Sequence, residues 1–198
     1  MGLGKQAKTL SNKQINIMVD YLSRSRLPQR NKLIFLLSVK AGLRAKEIAS
    51  SRWEMLLKSD GTLSNSIALT NDASKGMSGR EIPLNKTLKK LLEEFLSQEQ
   101  ERKDFNHKDF VIRTQRSKKT TAQAIINMFS TWYNDLGMIG CSSHSGRRTF
   151  ISNTARKIST VGGSLRDIQA LAGHANLQTT QRYIEFDSKA QKRVVDLI

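Results

Sequence analysis

Apolar residues recur at helical spacing along most of the chain, and strand-like runs interrupt them in one place. Ser11, with Gln14 three residues on, has the form of a capping box and predicts a helix to about Ser23. Pro28 suits the first turn of a second helix. Residues 33–39 of that helix are apolar on nearly every side, which predicts a central, buried position. Gly42 closes it as a left-handed C-cap. A short helix over residues 44–51 follows, with Ala45, Ile48 and Ala49 on one face.

The pattern then changes. Residues 55–57, 66–70 and 80–84 read as short strands, with Gly61 and the stretch 76–79 turning the chain between them. Pro83 places the third strand at an edge. Helical spacing returns at Asn85 or Lys86, where Leu88, Leu91, Leu92, Phe95 and Leu96 form one stripe. Residues 98–109 are charged and read as exposed, and 110–112 as a short buried run. Thr120 or Thr121 caps a helix with Ile125, Ile126, Met128, Phe129, Trp132 and Leu136 on its faces, a stripe that reads as core; Gly137 and Gly140 break it. Another helix runs over 145–158, and Ser164 caps one over 165–172. Gly173 ends that helix, Asn176 can cap the next, and Tyr183 falls in its final turn. The fold class is α+β, mainly α-helical, with a small three-stranded antiparallel sheet. The expected organisation is a flexible basic arm over 1–10, one domain over 11–186 and an amphipathic tail over 187–198.

Charge narrows the class of partner. The 198 residues include 33 Lys and Arg against 17 Asp and Glu, a formal net charge of +16. That excess favours a polyanion over a merely solubilising surface. No apolar run approaches the ~20 residues of a spanning helix, and the first residues lack an apolar signal core. Nucleic acid is therefore the expected partner, and a membrane is not. Cys141 is the one cysteine, so no internal disulfide can form. Three histidines without ligand spacing predict no metal and no cofactor. The chain reads as intracellular and soluble.

Four features carry candidate chemistry. Arg44 follows the helix break at Gly42, and Glu47 at i+3 can orient its guanidinium or pair with another cation. Lys75 lies in the turn between the second and third strands, a mobile cation able to deliver a proton. Arg80 and Lys86 nearby read as contacts to a DNA backbone. His144 and Arg147, three apart at a helix start, project from one face. Arg148 points elsewhere, to solvent, an ion pair or the DNA backbone. His174 sits in a helix break, with Tyr183 nine residues on. Taken singly, each has a plain alternative: a surface arginine, a loop lysine, a solvated helix start, a rim tyrosine.

Their order and spacing are more specific. Gly42-Leu43-Arg44 with Glu47-Ile48, the Lys75 hairpin before Arg80-Glu81-Ile82-Pro83-Leu84, His144 with Arg147, and Leu171-Ala172-Gly173-His174 with Tyr183 resemble the tyrosine recombinase (phage integrase) family. The resemblance covers about residues 11–187. It implies that Arg44, Lys75, His144, Arg147 and His174 surround a scissile phosphate, and that Tyr183 attacks it. The residue types suit the task. Two arginines can clamp the non-bridging oxygens with fixed donors that keep their protons. A tyrosine nucleophile stores the bond energy in a covalent link, so no ATP is needed.

The resemblance further implies a 3′-phosphotyrosyl link and a free 5′-hydroxyl. Lys75 would protonate the leaving oxygen, His144 would exchange a proton with Tyr183, and His174 would hydrogen-bond a phosphate oxygen. Implied partners are double-stranded DNA, other recombinase subunits (a tetramer on DNA, a monomer without it) and accessory DNA-bending proteins. The implied location is cytoplasmic and DNA-associated, in a bacterial, phage or mobile-element host cell. Gly146 and Arg148 depart from the leucine and histidine that the family often places around its second arginine. Most members carry an N-terminal DNA-clamping domain; the chain reads as starting at or just before the catalytic domain, in either a cut or a naturally short protein. The tail's Ala190, Val194, Val195, Leu197 and Ile198 suit packing into a neighbouring subunit or onto their own domain. A type IB topoisomerase-like strand transferase and a non-catalytic DNA-binding regulator are the competing functions. If the tyrosine helix acts as a switch, Tyr183 should be withdrawn from the other five residues in the absence of DNA.

Overall fold

Ser11 opens α1 (Asn12–Ser23) with a reciprocal cap. Its hydroxyl accepts from the Gln14 amide at 3.2 Å, while Gln14 Oε1 accepts from the Ser11 amide at 2.9 Å. The computed structural model describes residues 6–74, 78–114, 117–183 and 195–196. α2 (Pro28–Ala41) begins on its proline and ends at Gly42, whose φ of +67° turns the chain into the left-handed region. Leu33, Ile34, Phe35 and Leu37 are all buried because α2 is enclosed by α1, α4 (Lys86–Gln100) and α6 (Ser145–Lys157). α3 (Ala45–Ser50) packs on α5 (Ala122–Asp135), whose Ile125, Phe129, Trp132 and Tyr133 complete the main core. Asn85 caps α4 and Thr121 caps α5 through side-chain oxygens.

Only two of the three expected strands form among the described residues. β1 (Ser66–Leu69) and β2 (Arg80–Pro83) pair antiparallel, with Ser66 opposite Pro83 and Leu69 opposite Arg80. Residues 55–57 do not extend the sheet. Trp53–Met55 form a 3-10 turn whose backbone bonds close locally, Met55 to Arg52 and Leu56 to Trp53. The turn follows from burying Trp53 against Phe95 and Phe105. A lone bridge, Leu57 to Leu63, is what remains of the third strand.

The N-terminal arm is also corrected in part. Residues 6–10 are docked: the Lys8 amide donates to the Gly140 carbonyl at 3.0 Å, and Leu10 is buried with its amide on Thr149 Oγ1 at 2.7 Å. Residues 1–5 lie outside the described residues. So does the tail at 187–198, apart from Val195 and Asp196.

The C-terminal part is built on a smaller scale. Ser164 and Asp167 cap α7 (Leu165–Ala172), and Asn176 caps α8 (Leu177–Gln181). Ile151, Ile168 and Ala172 form a separate small cluster, with Phe150 and Tyr183 packed against it. No helix among the described residues is long and apolar enough to cross a membrane.

Candidate active site

The centre of the site is a set of arginines hung on helix C-terminal carbonyls. Arg147, buried on α6, donates to the carbonyl of Gly42 at the end of α2 (2.6 Å) and of Ala172 at the end of α7 (2.5 Å). Arg80 donates through Nε to the Leu171 carbonyl at 2.8 Å. Arg44 makes a longer 3.5 Å contact to the Gly173 carbonyl. Three successive carbonyls of one helix end thus face three different guanidinium groups. A helix C-terminus carries unpaired carbonyls and partial negative charge, so it offsets repulsion among cations. Gly146 is what lets Arg147 reach them. An added Cβ there would lie 2.5 Å from Ser38 Oγ of α2, so only glycine allows α6 this close. The departure from the family's usual leucine therefore has a packing cause.

Glu47 neutralises the cluster from below. Its side chain is fully buried, with Oε1 2.7 Å from Arg44 Nη1 and 2.9 Å from Arg80 Nη1. Its Oε2 accepts from Arg80 Nη2 at 3.2 Å and from the Arg44 amide at 2.8 Å. Burial alone would raise the carboxyl's pKa. The hydrogen bond and charge of Arg80, then those of Arg44, more than reverse this, and the net shift is downward. Glu47 therefore serves both expected partners, Arg44 and another cation.

Burial is also the largest effect on Arg147, followed by the charge of Arg44. Together they bring it down to about 10, still protonated at neutral pH.

His174 follows the left-handed Gly173 that ends α7. Its Nδ1 is 2.9 Å from the buried Thr180 Oγ1, and its ring stacks on Tyr183 with centroids 5.5 Å apart at 22°. Burial first, then Arg147, Arg44 and Arg80, bring its pKa down to about 4. His174 is therefore a neutral imidazole at physiological pH. His144, at the N-terminus of α6, is shifted down by partial burial and by Arg147 and Arg44. Tyr183 lies in the turn just past α8, its amide on the Thr180 carbonyl at 3.0 Å. A cavity of about 310 Å³ is lined by His144, Arg147, Arg148, Arg182, Tyr183 and the docked arm at Ala7. A larger one of about 820 Å³ is lined by His174, Arg44, Arg80 and Arg166 among others. Tyr183 shares a cavity with His144 and Arg147 and stacks on His174.

The structure thus brings together Arg44, His144, Arg147, His174 and Tyr183, while Lys75 lies outside the described residues. The described residues on either side of it are bonded. Buried Ser74 offers its carbonyl to Lys46 Nζ at 2.8 Å, and the Ser78 carbonyl accepts from Arg80 at 3.2 Å. Arg80, expected to face DNA, instead turns inward with its side chain only 6% exposed. The cause is Glu47, whose buried carboxylate needs a second cation. Lys86 is exposed at the start of α4, and Arg148 donates to the Ala7 carbonyl at 3.0 Å. Sequence reading missed Thr180 and Lys46. Thr180 lies at i+6 from His174, and only the helix break between them brings the pair into contact. Among the described residues, no three His, Cys, Asp or Glu side chains gather to hold a metal.

Residues 8–190 match the phage integrase family. Tyrosine recombinase XerA of Pyrococcus horikoshii is 30% identical over 167 residues, covering 84% of this chain and 54% of that protein. Tyrosine recombinase XerD of Oceanobacillus iheyensis is 27% identical over 177 residues, covering 88% and 56%. The crystal structure of XerA recombinase superposes with a TM-score of 0.74 and 19% identity over 100% of this chain and 65% of its own. The Tn1549 transposon integrase, in complex with circular intermediate DNA, gives 0.73 and 18% over 96% and 67%. The fold is that of a tyrosine recombinase catalytic domain, mainly helical around a small antiparallel sheet. The chain belongs to the phage integrase family, and it spans little more than half the length of these two curated relatives.

Proposed function

We propose that the chain cleaves and rejoins DNA as a site-specific recombinase or integrase, through a 3′-phosphotyrosyl intermediate. One observation carries this reading: Tyr183 stacks on a neutral His174 and shares a cavity with Arg147, a buried cation held by two carbonyls. A fixed positive charge beside a candidate nucleophile suits a transition state that gains negative charge on phosphate oxygens. Arg44 and Arg147 bind the non-bridging oxygens. Thr180 donates to His174 Nδ1, which leaves Nε2–H to donate to a phosphate oxygen. Tyr183 Oη attacks phosphorus and its proton passes to neutral His144. The P–O5′ bond breaks, and the departing oxygen takes a proton from Lys75. The reverse reaction with a different 5′-hydroxyl joins the strand to a new partner. The working form is an assembly of subunits on double-stranded DNA, a tetramer helped by DNA-bending proteins. It acts inside a bacterial, phage or mobile-element host cell.

The test is a covalent capture. A library of random duplexes, each with one nick, is incubated with the protein, denatured in detergent and searched for protein-bound strands. Wild type should retain specific sequences, and Tyr183→Phe should retain none while still binding those duplexes. A wild-type protein that binds duplex DNA but captures no strand overturns the reading in favour of a DNA-binding regulator.

A further inference from the structure

Arg80 lies outside the set of residues proposed to touch the phosphate, yet its bonds reach two segments that carry them. Its Nη1 and Nη2 lie 2.9 and 3.2 Å from the two oxygens of Glu47, which also holds Arg44. Its Nε donates to the Leu171 carbonyl, in the turn of chain that presents His174. Its Nη1 also donates to the Ser78 carbonyl. The His174 turn closes directly on the guanidinium: a Cβ added at Gly173 would lie 2.8 Å from Arg80 Nη1. With its side chain 6% exposed, Arg80 has little surface left for a DNA backbone.

We propose that Arg80 is a positioning residue: through Glu47 and Leu171 it sets the geometry of Arg44 and His174 without contacting DNA. This rests on the strand-transfer reading above. A planar fork suits the role because it serves both carboxylate oxygens and two carbonyls at once, which an ammonium cannot do. The groups facing Glu47 are Arg44 at the head of α3, Arg80 from β2 and the charge of Arg147 from α6. Removing Arg80 takes away the strongest influence keeping the carboxyl ionised against burial. The carboxyl then takes up a proton at a higher pH and releases Arg44.

The experiment compares Arg80→Met and Arg80→Lys with wild type in the full chain. Adduct formation is followed in single turnovers on duplexes recovered by the covalent capture, with binding measured on the same duplexes. The Glu47 carboxyl is titrated by carbon-13 NMR without DNA. Arg80→Met should slow cleavage by roughly 10²-fold, change Kd by less than about threefold, and move the acid limb of the rate profile to higher pH together with the Glu47 titration. Arg80→Lys should restore most of the titration but only part of the rate. A Kd that weakens in step with the rate, at a fixed Glu47 titration, would make Arg80 a DNA contact and overturn the proposal. So would a normal rate in either variant. If Arg80→Met does not fold, Arg80→Lys decides by the same criteria. If wild type forms no adduct, the strand-transfer reading fails. Positioning is then judged in the free protein by exchange of the Arg44 guanidinium protons, and unchanged exchange in the variants would overturn it.

Discussion

The cationic and the nucleophilic halves of the site are built differently. Arg44 caps α3, Glu47 lies on α3 and Arg80 on β2, elements whose Ile48, Ala49 and Ile82 belong to the main core; Arg147 lies on α6 where it packs on α2, and every guanidinium has its bonds to carbonyl or carboxylate. Tyr183 follows a five-residue helix that rests on the small cluster of Ile151, Ile168 and Ala172. It is retained by the His174 stack and a 3.4 Å bond from Ser152 Oγ to its carbonyl. The groups proposed to stabilise charge are bonded in place, the condition under which preorganisation has its largest effect. The proposed nucleophile stands on the less deeply anchored element. Local opening of the tyrosine segment would then cost far less than disturbing the arginines.

Arg147 offers the largest test of this contrast beyond the nucleophile itself. Arg147→Ala removes one of the proposed phosphate donors and the bonds to the Gly42 and Ala172 carbonyls. Strand cleavage should fall by roughly 10²–10³-fold. DNA affinity should fall only modestly, because many other cations hold the backbone. Thermal melting should drop as well, by an amount set by the lost carbonyl bonds, about 1–3 kcal/mol for a buried unsatisfied group. A loss of affinity equal to the loss of cleavage would mean that Arg147 binds DNA generally and does not act on the transition state.

The pH dependence of folding tests the electrostatic side. His174 titrates at about 4 in the folded protein, against an ordinary value of 6.5. Between these values the unfolded chain holds the proton and the folded chain does not, so stability falls as pH drops from about 6.5 to 4. The full contribution is on the order of 3 kcal/mol. Urea unfolding of wild type should weaken across that window, and His174→Gln should lose much of the dependence. His144, also shifted down, supplies part of what remains. Parallel curves for the two proteins would show that the folded site does not hold His174 neutral.

What could be read from the sequence was local or followed a family spacing. Ser11, Thr121 and Asn176 cap as expected because the amide each accepts from is three residues away, and Ser164 starts its helix with its amide and hydroxyl on the Asp167 carboxylate, also three residues on. Gly42 and Gly173 end their helices for a similarly local reason. Spacing also named five residues that do converge. What failed depends on distant partners. Arg80 turns inward because of Glu47, 33 residues earlier. Residues 6–10 dock because Thr149 and Gly140 receive them. The third strand is lost because burying Trp53 between aromatic rings coils the chain before it can extend. Charge and periodicity contain none of these contacts.

The smallest expected effect bears most directly on the contrast between the two halves. Ile168 is buried in the cluster beneath Tyr183, away from the main core. Ile168→Val removes one methyl group and should cost about 0.5–1.5 kcal/mol. If the tyrosine segment opens on its own, that cost appears in local exchange. Amides near the end of α8, such as those of Arg182 and Tyr183, should exchange several-fold faster, since 1.4 kcal/mol is a factor of ten. The amides deep in α2 should keep wild-type protection, apart from any share set by global unfolding. Hydrogen exchange read by mass spectrometry on peptides from α2 and α8 distinguishes the cases. Equal acceleration in both peptides would show that the small cluster and the main core open as one unit. The anchored arginines and the tyrosine would then have the same freedom to move.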